Sequence, residues 1–300
     1  PEDLRRGTAV ALEAADVAAA LPRRSAAGHK RDAGIVLVVA GSIPMPGAAA
    51  LVAGASVRSG AGLTILAAPE PVCRIALARV PEIVTIPLGG AGEGTIDDKA
   101  LEQIRPRLGE ADVLAIGPGL TTHAAAAGAI RSLIAEAACP VVADADAITA
   151  LAAEPAVVTS RTVPTLLTPH AGELARRAGS AAATLDADRL TAVRDAAGRL
   201  AATILFKGPG TVVAGDGETY VTVPGGRALA QGGTGDVLTG LAASLIAQAG
   251  AGASVPLLAA VAAWLHSAAG DALGERRAPL PASPSLLIDE IAATIHEVAA

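Results

Sequence analysis

Five times along this chain an apolar run of strand length stops at a turn rich in glycine, proline or charge. Ile35–Ala40 runs into Gly41-Ser42-Ile43-Pro44-Met45-Pro46-Gly47-Ala48, and Asp112–Ile116 into Gly117-Pro118-Gly119. Val141–Val142 leads to Asp144-Ala145-Asp146, Leu166–Leu167 to Thr168-Pro169-His170-Ala171-Gly172-Glu173, and Ile204–Phe206 to Lys207-Gly208-Pro209-Gly210-Thr211. Unbroken apolar runs, rather than alternating ones, belong to strands buried on both faces, which is the habit of parallel sheets. Helix patterns over Ala48–Ser59, Lys99–Leu108, Thr122–Ala137 and Asp188–Leu200 separate these runs, with further strands expected at Leu63–Ala68 and Ile83–Pro87. This alternation predicts a three-layer α/β/α fold, a mostly parallel sheet with helices on both faces. An antiparallel meander at Ala202–Lys207, Thr211–Ala214 and Thr219–Val223 closes it, and helices at Val255–Leu273 and Pro284–Val298 follow. Residues 1–300 read as one domain, with 1–20 an N-terminal helical extension. In such a sheet ligands sit beyond the carboxyl ends of the strands, where all five turns gather.

The stretch Gln231-Gly232-Gly233-Thr234-Gly235-Asp236 adds chemistry to that edge, because an apolar helix pattern, Val237 to Ala247, begins directly after it. A helix start presents unpaired N–H groups and the positive end of the macrodipole, so it attracts anions. Glycines let a phosphate approach the backbone closely, and Gly235 is expected to adopt positive φ. Asp236 then places a carboxylate where a phosphate would bind. Repulsion makes that a poor choice for simple binding, but a good one for a base that deprotonates a hydroxyl attacking phosphorus. The plainer alternative is an ordinary helix-start aspartate after a glycine turn.

Several classes fall away. No Gly-x4-Gly-Lys-Ser/Thr occurs, and no Gly-x-Gly-x-x-Gly follows a strand, which argues against P-loop and conventional dinucleotide-binding domains. A net charge of −6 without a basic cluster gives nucleic acid nothing to bind. The mean hydropathy of +0.50 reflects alanine, and no run of about 20 residues reads as clean enough to cross a bilayer, so no membrane partner is expected. Cys73 and Cys139 fit no metal or redox spacing, consistent with a reducing cytoplasm. The start at Pro1, without methionine, reads as trimming or as the loss of an upstream portion.

From about Leu21 to the C-terminus the ordered motifs resemble the ribokinase-like superfamily and, within it, the ADP- or ATP-dependent NAD(P)H-hydrate dehydratases. The resemblance is carried by Pro22-Arg23-Arg24, His29-Lys30, Met45-Pro46-Gly47-Ala48, Arg58-Ser59-Gly60-Ala61-Gly62 and Ile116-Gly117-Pro118-Gly119-Leu120. It continues through Asp144-Ala145-Asp146-Ala147, Leu167-Thr168-Pro169-His170-x-Gly172-Glu173, Lys207-Gly208-x-x-Thr211, Gly233-Thr234-Gly235-Asp236, and Leu265-His266 followed by Gly270-Asp271. The chain departs from the family pattern at Arg31 and Ala171, where glycine and proline are usual, and at Val223-Pro224-Gly225-Gly226-Arg227, where Asn-Pro-Thr-Gly-Asn is usual.

The resemblance implies a repair reaction: phosphorylation of the C6 hydroxyl of hydrated NADH or NADPH, then loss of phosphate to restore the dihydropyridine. It implies Asp236 as the base, and Lys207, Gly208, Pro209, Gly210, Thr211, Gly233, Thr234 and Gly235 against the nucleotide. Ala48, Gly119, His170 and Asp236 would meet the hydrated substrate, and Glu173 would help hold Mg²⁺ through water. ADP or ATP is the implied co-substrate and an NAD(P)H-hydrate epimerase the implied functional partner. A homo-oligomer is expected, a tetramer among the options. Asp144 and Asp146 read either as turn formers or as pocket residues, His170 as a substrate contact or an N-cap, and His266 as a core histidine or a site residue. Two other functions use the same motifs: a ribokinase-like kinase of a small hydroxylated vitamin precursor, and a non-catalytic nucleotide-binding protein.

Overall fold

A computed structural model of the chain describes residues 9–23, 29–89, 94–178, 181–222, 227–277 and 283–300. Ten strands form one sheet: β1 Val10–Ala11, β2 Ile35–Val39, β3 Leu63–Pro69, β4 Val84–Leu88, β5 Val113–Ile116, β6 Val141–Ala143, β7 Thr165–Leu167, β8 Thr203–Phe206, β9 Val212–Gly215 and β10 Glu218–Val221. Their order is β1-β10-β9-β8-β7-β6-β5-β2-β3-β4. The run from β4 to β8 pairs in parallel throughout, and β9 turns back antiparallel between β8 and β10. The expected architecture and the closing meander are both present.

The strand runs are apolar without a break because both faces are covered. Along β2, Val36 and Val38 join one core with the helices Pro46–Arg58, Thr234–Ala249, Val255–Arg277 and Pro284–Ala299. Ile35, Leu37 and Val39 join the other with Asp98–Leu108, Ala124–Glu136 and Arg189–Leu200. Cys73 and Cys139 are free and buried, and burial pushes the Cys73 thiol up to about 11, so neither offers a reactive thiolate.

Three differences from the sequence reading have physical causes. The N-terminal segment expected to be helical carries the helix Ala14–Ala20, but β1 precedes it and pairs in parallel with β10, capping that sheet edge. Short helices at Asp146–Ala153 and Ala171–Ala178 follow turns that the sequence reading left without a helix, and another at Glu70–Leu77 fills the stretch between the third and fourth strands; each is too short to show a helical repeat clearly. By length and composition the helix from Val255 to Arg276 could cross a membrane, contrary to expectation, and 67% of its most apolar window is buried. That burial is against the sheet and its neighbouring helices, so the apolarity serves the core. Of the departures from the family pattern, Val223–Gly226 lies outside the described residues.

Alanine and glycine let the helices that flank the site approach closely. A side chain added at Gly240 would place its Cβ 2.1 Å from the Val52 carbonyl oxygen and 2.9 Å from the Ala55 Cβ. Helix Thr234–Ala249 therefore rests directly on the backbone of helix Pro46–Arg58. Gly240→Val should lower stability by about 3 kcal/mol or more, read as a lower urea midpoint, since neither backbone can yield cheaply. A variant as stable as the parent would show that the helices do not meet there.

Candidate active site

Because β2, β5, β6, β7 and β8 run in parallel, their carboxyl ends present the five turns along one edge. Gly117, after β5, has φ +127°, and a Cβ there would lie 1.9 Å from the Asp144 carbonyl oxygen. Only glycine allows the ends of β5 and β6 to close up in this way. Beside it, a Cβ on Gly119 would be 2.8 Å from the Ala48 Cβ. Ala48 and Gly119 thus pack together, an approach that leaves no room for a side chain at Gly119.

At the centre, Lys207 Nζ donates to Asp144 Oδ1 at 2.7 Å across the end of β7. The Asp144 side chain is 2% exposed and that of Lys207 21%. The other Asp144 oxygen lies 3.0 Å from the Thr239 hydroxyl, which is also within 3.1 Å of the Gly235 carbonyl. The Lys207 N–H donates to the Pro169 carbonyl at 2.9 Å, tying β8 to the turn after β7. Burial would pull the Lys207 ammonium down, but the carboxylates of Asp144, Glu173 and Asp236 outweigh it and hold the proton more tightly than usual.

Asp236 sits in the first turn of helix Thr234–Ala249, where the first i→i−4 bond is from Val237 N–H to the Gly233 carbonyl. The amides of Gly235 and Asp236 precede it and belong to the open end of the helix. Burial, with the nearby charges of Asp144 and Asp146, raises Asp236 to about 6, against the opposing pull of Lys207. Positive φ falls at Gly233 (+94°) and not at Gly235, which corrects the sequence expectation. Gly233 makes the left-handed turn into the helix, with Leu51 and Pro284 packed where a Cβ would go. Gly235 supplies clearance, since a Cβ there would come within 3.3 Å of Lys207 Nζ.

A cleft of about 520 Å³ opens on this junction, lined by Lys207, Gly208, Pro209, Thr211, Thr234 and Gly235 with Leu229, Ala230, Leu238, Ala263, His266 and Ser267. Six of the eight expected nucleotide residues thus share one cleft. Gly210 and Gly233 do not line it and shape its backbone instead. Ala48, Gly119 and His170 lie outside the lining. His266 Nε2–H donates to the Thr234 carbonyl at 2.8 Å, and burial pushes the imidazole down to about 4. It is therefore a neutral histidine that fixes the helix start while forming part of the cleft wall.

His170 is the N-cap of helix Ala171–Ala178. Its Nδ1 accepts the Gly172 N–H at 3.0 Å, and Glu173 Oε2 accepts the His170 N–H at 2.8 Å. The ring is 55% exposed while the Glu173 side chain is 8% exposed. Among the described residues no cluster of three or more His, Cys, Asp or Glu side chains is assembled to hold a metal.

Sequence reasoning missed Arg189 and Thr239. Arg189 Nη2 donates to the Phe206 carbonyl at 2.7 Å and Nε to the Gly210 carbonyl at 3.2 Å, with the guanidinium 3.8 Å above the Phe206 ring. It clamps the Lys207–Thr211 turn from below, a role that no spacing announces. Thr239 had a legible signal: it interrupts the apolar run one helical turn after Gly235. The buried hydroxyls of Ser42, Thr121 and Thr168, all in turns at this edge, have no hydrogen-bond partner.

The raised Asp236 has a consequence for stability. The folded state holds its proton more tightly than the unfolded chain does. Stability is therefore lost as pH rises from about 4, the unfolded value, to about 6, and the loss is complete above that. Asp236→Asn should stabilise the protein at pH 7 by up to about 3 kcal/mol and have little effect near pH 4. Equal stabilisation at both pH values in thermal unfolding would rule out a strained Asp236 carboxylate.

Comparison with known proteins agrees with this geometry. The NAD(P)H-hydrate dehydratase family model matches residues 36–293. The bifunctional NAD(P)H-hydrate repair enzyme Nnr of Moorella thermoacetica is 42% identical over 267 residues, 89% of this chain and 50% of that protein. Its counterpart from Thermofilum pendens is 34% identical over 258 residues, covering 86% and 49%. The chain spans about half the length of these curated relatives. The crystal structure of the ADP/ATP-dependent NAD(P)H-hydrate dehydratase from Bacillus subtilis, co-crystallised with ATP/Mg²⁺, superposes with a TM-score of 0.79 at 28% identity, covering 95% of this chain and 97% of that one. With the fold, the Gly-Thr-Gly-Asp helix start and the matched residues in agreement, this ribokinase-like chain belongs to the NAD(P)H-hydrate dehydratase family.

Proposed function

We propose that the chain uses ADP or ATP to dehydrate hydrated NADH and NADPH back to the reduced cofactors, a lyase reaction of metabolite repair. The observation that carries this reading is the position of Asp236 in the first turn of an open helix start, directly after Gly235, which lines the cleft and stands against Lys207 Nζ; burial there raises the Asp236 carboxyl to about 6. Asp236 takes the proton of the C6 hydroxyl as its oxygen attacks the terminal phosphorus of the nucleotide. The amides at Gly235 and Asp236, with Lys207, stabilise charge on the transferred phosphoryl group. Phosphate then leaves C6 with the C–O bonding pair while the ring nitrogen lone pair forms the C=N bond. Loss of a proton from C5 restores the dihydropyridine. Hydroxide leaves poorly and phosphate well, which is why a nucleotide is spent on a dehydration.

Several residues have proposed places. Lys207, Gly208, Pro209, Thr211, Thr234 and Gly235 contact the nucleotide in the cleft, while Gly210 and Gly233 set the backbone. Ala48, Gly119 and His170 meet the hydrated nicotinamide nucleotide on the other side. Mg²⁺ supplies charge neutralisation to the nucleotide phosphates when bound. A carboxylate suits a hard cation: Glu173 Oε2 accepts the His170 N–H, and Oε1, 3.5 Å from the His170 ring nitrogen, would reach the cation through water. The relative from Bacillus subtilis was crystallised with ATP/Mg²⁺, which supports the same pair here. Residues 1–300 act as one domain in this reading, in the cytoplasm and as a homo-oligomer. An NAD(P)H-hydrate epimerase is its functional partner, in keeping with the bifunctional relatives.

Incubation with hydrated NADH, Mg²⁺ and either nucleotide should regenerate NADH absorbance and release free phosphate in equal amounts. Accumulation of a stable phosphorylated product would instead identify a small-molecule kinase. Asp236→Asn should lose two or more orders of magnitude in turnover and keep nucleotide affinity. Gly235→Val should weaken nucleotide binding at least tenfold by calorimetry, because its side chain meets Lys207 Nζ. Unchanged binding in a folded variant would place the nucleotide elsewhere.

A further inference from the structure

We infer that Asp144 and Thr239 are positioning residues: together they hold the Lys207 ammonium over the helix start, so that it faces Gly235 and Asp236. Asp144 contributes both carboxylate oxygens to this task. One takes the ammonium at 2.7 Å and the other lies 3.0 Å from the Thr239 hydroxyl, so the carboxylate plane is fixed from two sides. Lys207 directly follows β8 and Asp144 directly follows β6, with β7 between them, so the pair bridges three strand ends. Thr239 belongs to the same helix as Asp236, one turn further on, which ties the carboxylate to the element that carries the proposed base. The clearance at Gly235 marks where the ammonium ends up, 3.3 Å from the point a Cβ would occupy.

A lysine on a flexible four-carbon stem would otherwise follow the nucleotide phosphates wherever they lie. Anchored on Asp144, it is instead offered at a set place, and a phosphoryl group reaching that place meets charge already oriented. The anchor also sets the field at Asp236. The charged groups acting on Asp236 are Asp144 and Asp146, from the turn after β6, and Lys207, from the end of β8. The neutral His266, on helix Val255–Arg277, contributes no charge at working pH. Removing the Asp144 charge takes away a neighbour that favours protonation and leaves Lys207 free to favour ionisation. Both changes move Asp236 in one direction, toward the ordinary carboxylate range.

The kinetic half of this inference rests on the proposed dehydratase reaction; its titration half does not. ¹³C NMR of the Asp236 carboxyl in the free protein should show Asp144→Asn titrating at least one pH unit below the parent. Thr239→Val keeps the ion pair and should shift it less. In steady-state assays Asp144→Asn should lower kcat about 10- to 100-fold with the nucleotide KM changed less than threefold. Thr239→Val should lower kcat several-fold, and Thr239→Ser should recover it to within twofold. The acid limb of the kcat/KM profile should move to lower pH in Asp144→Asn. Should Asp144→Asn unfold, because a buried lysine is left without its partner, Thr239→Val and Thr239→Ser carry the same comparison. An Asp236 titration unmoved in Asp144→Asn, or a Thr239→Val loss that Thr239→Ser does not recover, would overturn the assignment. A parent protein inactive on hydrated NADH would sink the proposed reaction while leaving the NMR comparison intact.

Discussion

The ion pair between Lys207 and Asp144 is the interaction on which the arrangement at this edge depends. It joins the ends of β6 and β8 across β7, and through Thr239 it reaches the helix whose first turn carries Asp236. Removing the lysine would cost about 3–5 kcal/mol, because the Asp144 carboxylate left behind is only 2% exposed, whereas Lys207 still reaches the cleft. Its worth to the molecule is better seen as placement. The pair puts one positive charge among three carboxylates, Asp144, Glu173 and Asp236, at the mouth of a cleft. Negative charge crowded in this way repels a polyphosphate unless a lysine, a helix start and a divalent cation offset it. That balance explains why the site has both an open helix N-terminus and a retained ammonium.

The site can take this form because the scaffold beneath it is built from small residues. Helix Thr234–Ala249 lies against the backbone of helix Pro46–Arg58 at Gly240, and the ends of β5 and β6 close at Gly117. Alanine-rich packing brings elements together at distances that larger side chains would forbid. The alanine excess that raises the mean hydropathy is thus a packing device, and it also explains a core helix apolar enough to imitate a membrane span.

Much of this was legible in the residues. Continuous apolar strands, five turns at strand ends and a glycine-rich helix start carry physical signatures of period, punctuation and anion binding. Asp236 and Lys207 stood out because each is a charge at the boundary of an apolar element. What escaped were relations between distant residues. Nothing in the sequence around Asp144 says that its partner lies 63 positions away, and nothing marks Arg189 as the clamp of carbonyls 17 and 21 residues further on. Positive φ was assigned to the wrong glycine, Gly235 for Gly233, because a glycine run shows that a tight turn exists without showing which residue makes it. His170 was legible only as two alternatives, and its capping geometry realises one without deciding the other.

In the proposed reaction the hydroxyl oxygen of the substrate becomes an oxygen of the released phosphate. Hydrated NADH bearing ¹⁸O at the C6 hydroxyl, turned over with Mg²⁺ and ADP or ATP, tests it directly by ³¹P NMR of the phosphate. Every phosphate released should carry one ¹⁸O, since the bond that breaks in the second step is C6–O. Label appearing in water, with unlabelled phosphate, would contradict phosphorylation of the hydroxyl and the role of Asp236 as its base.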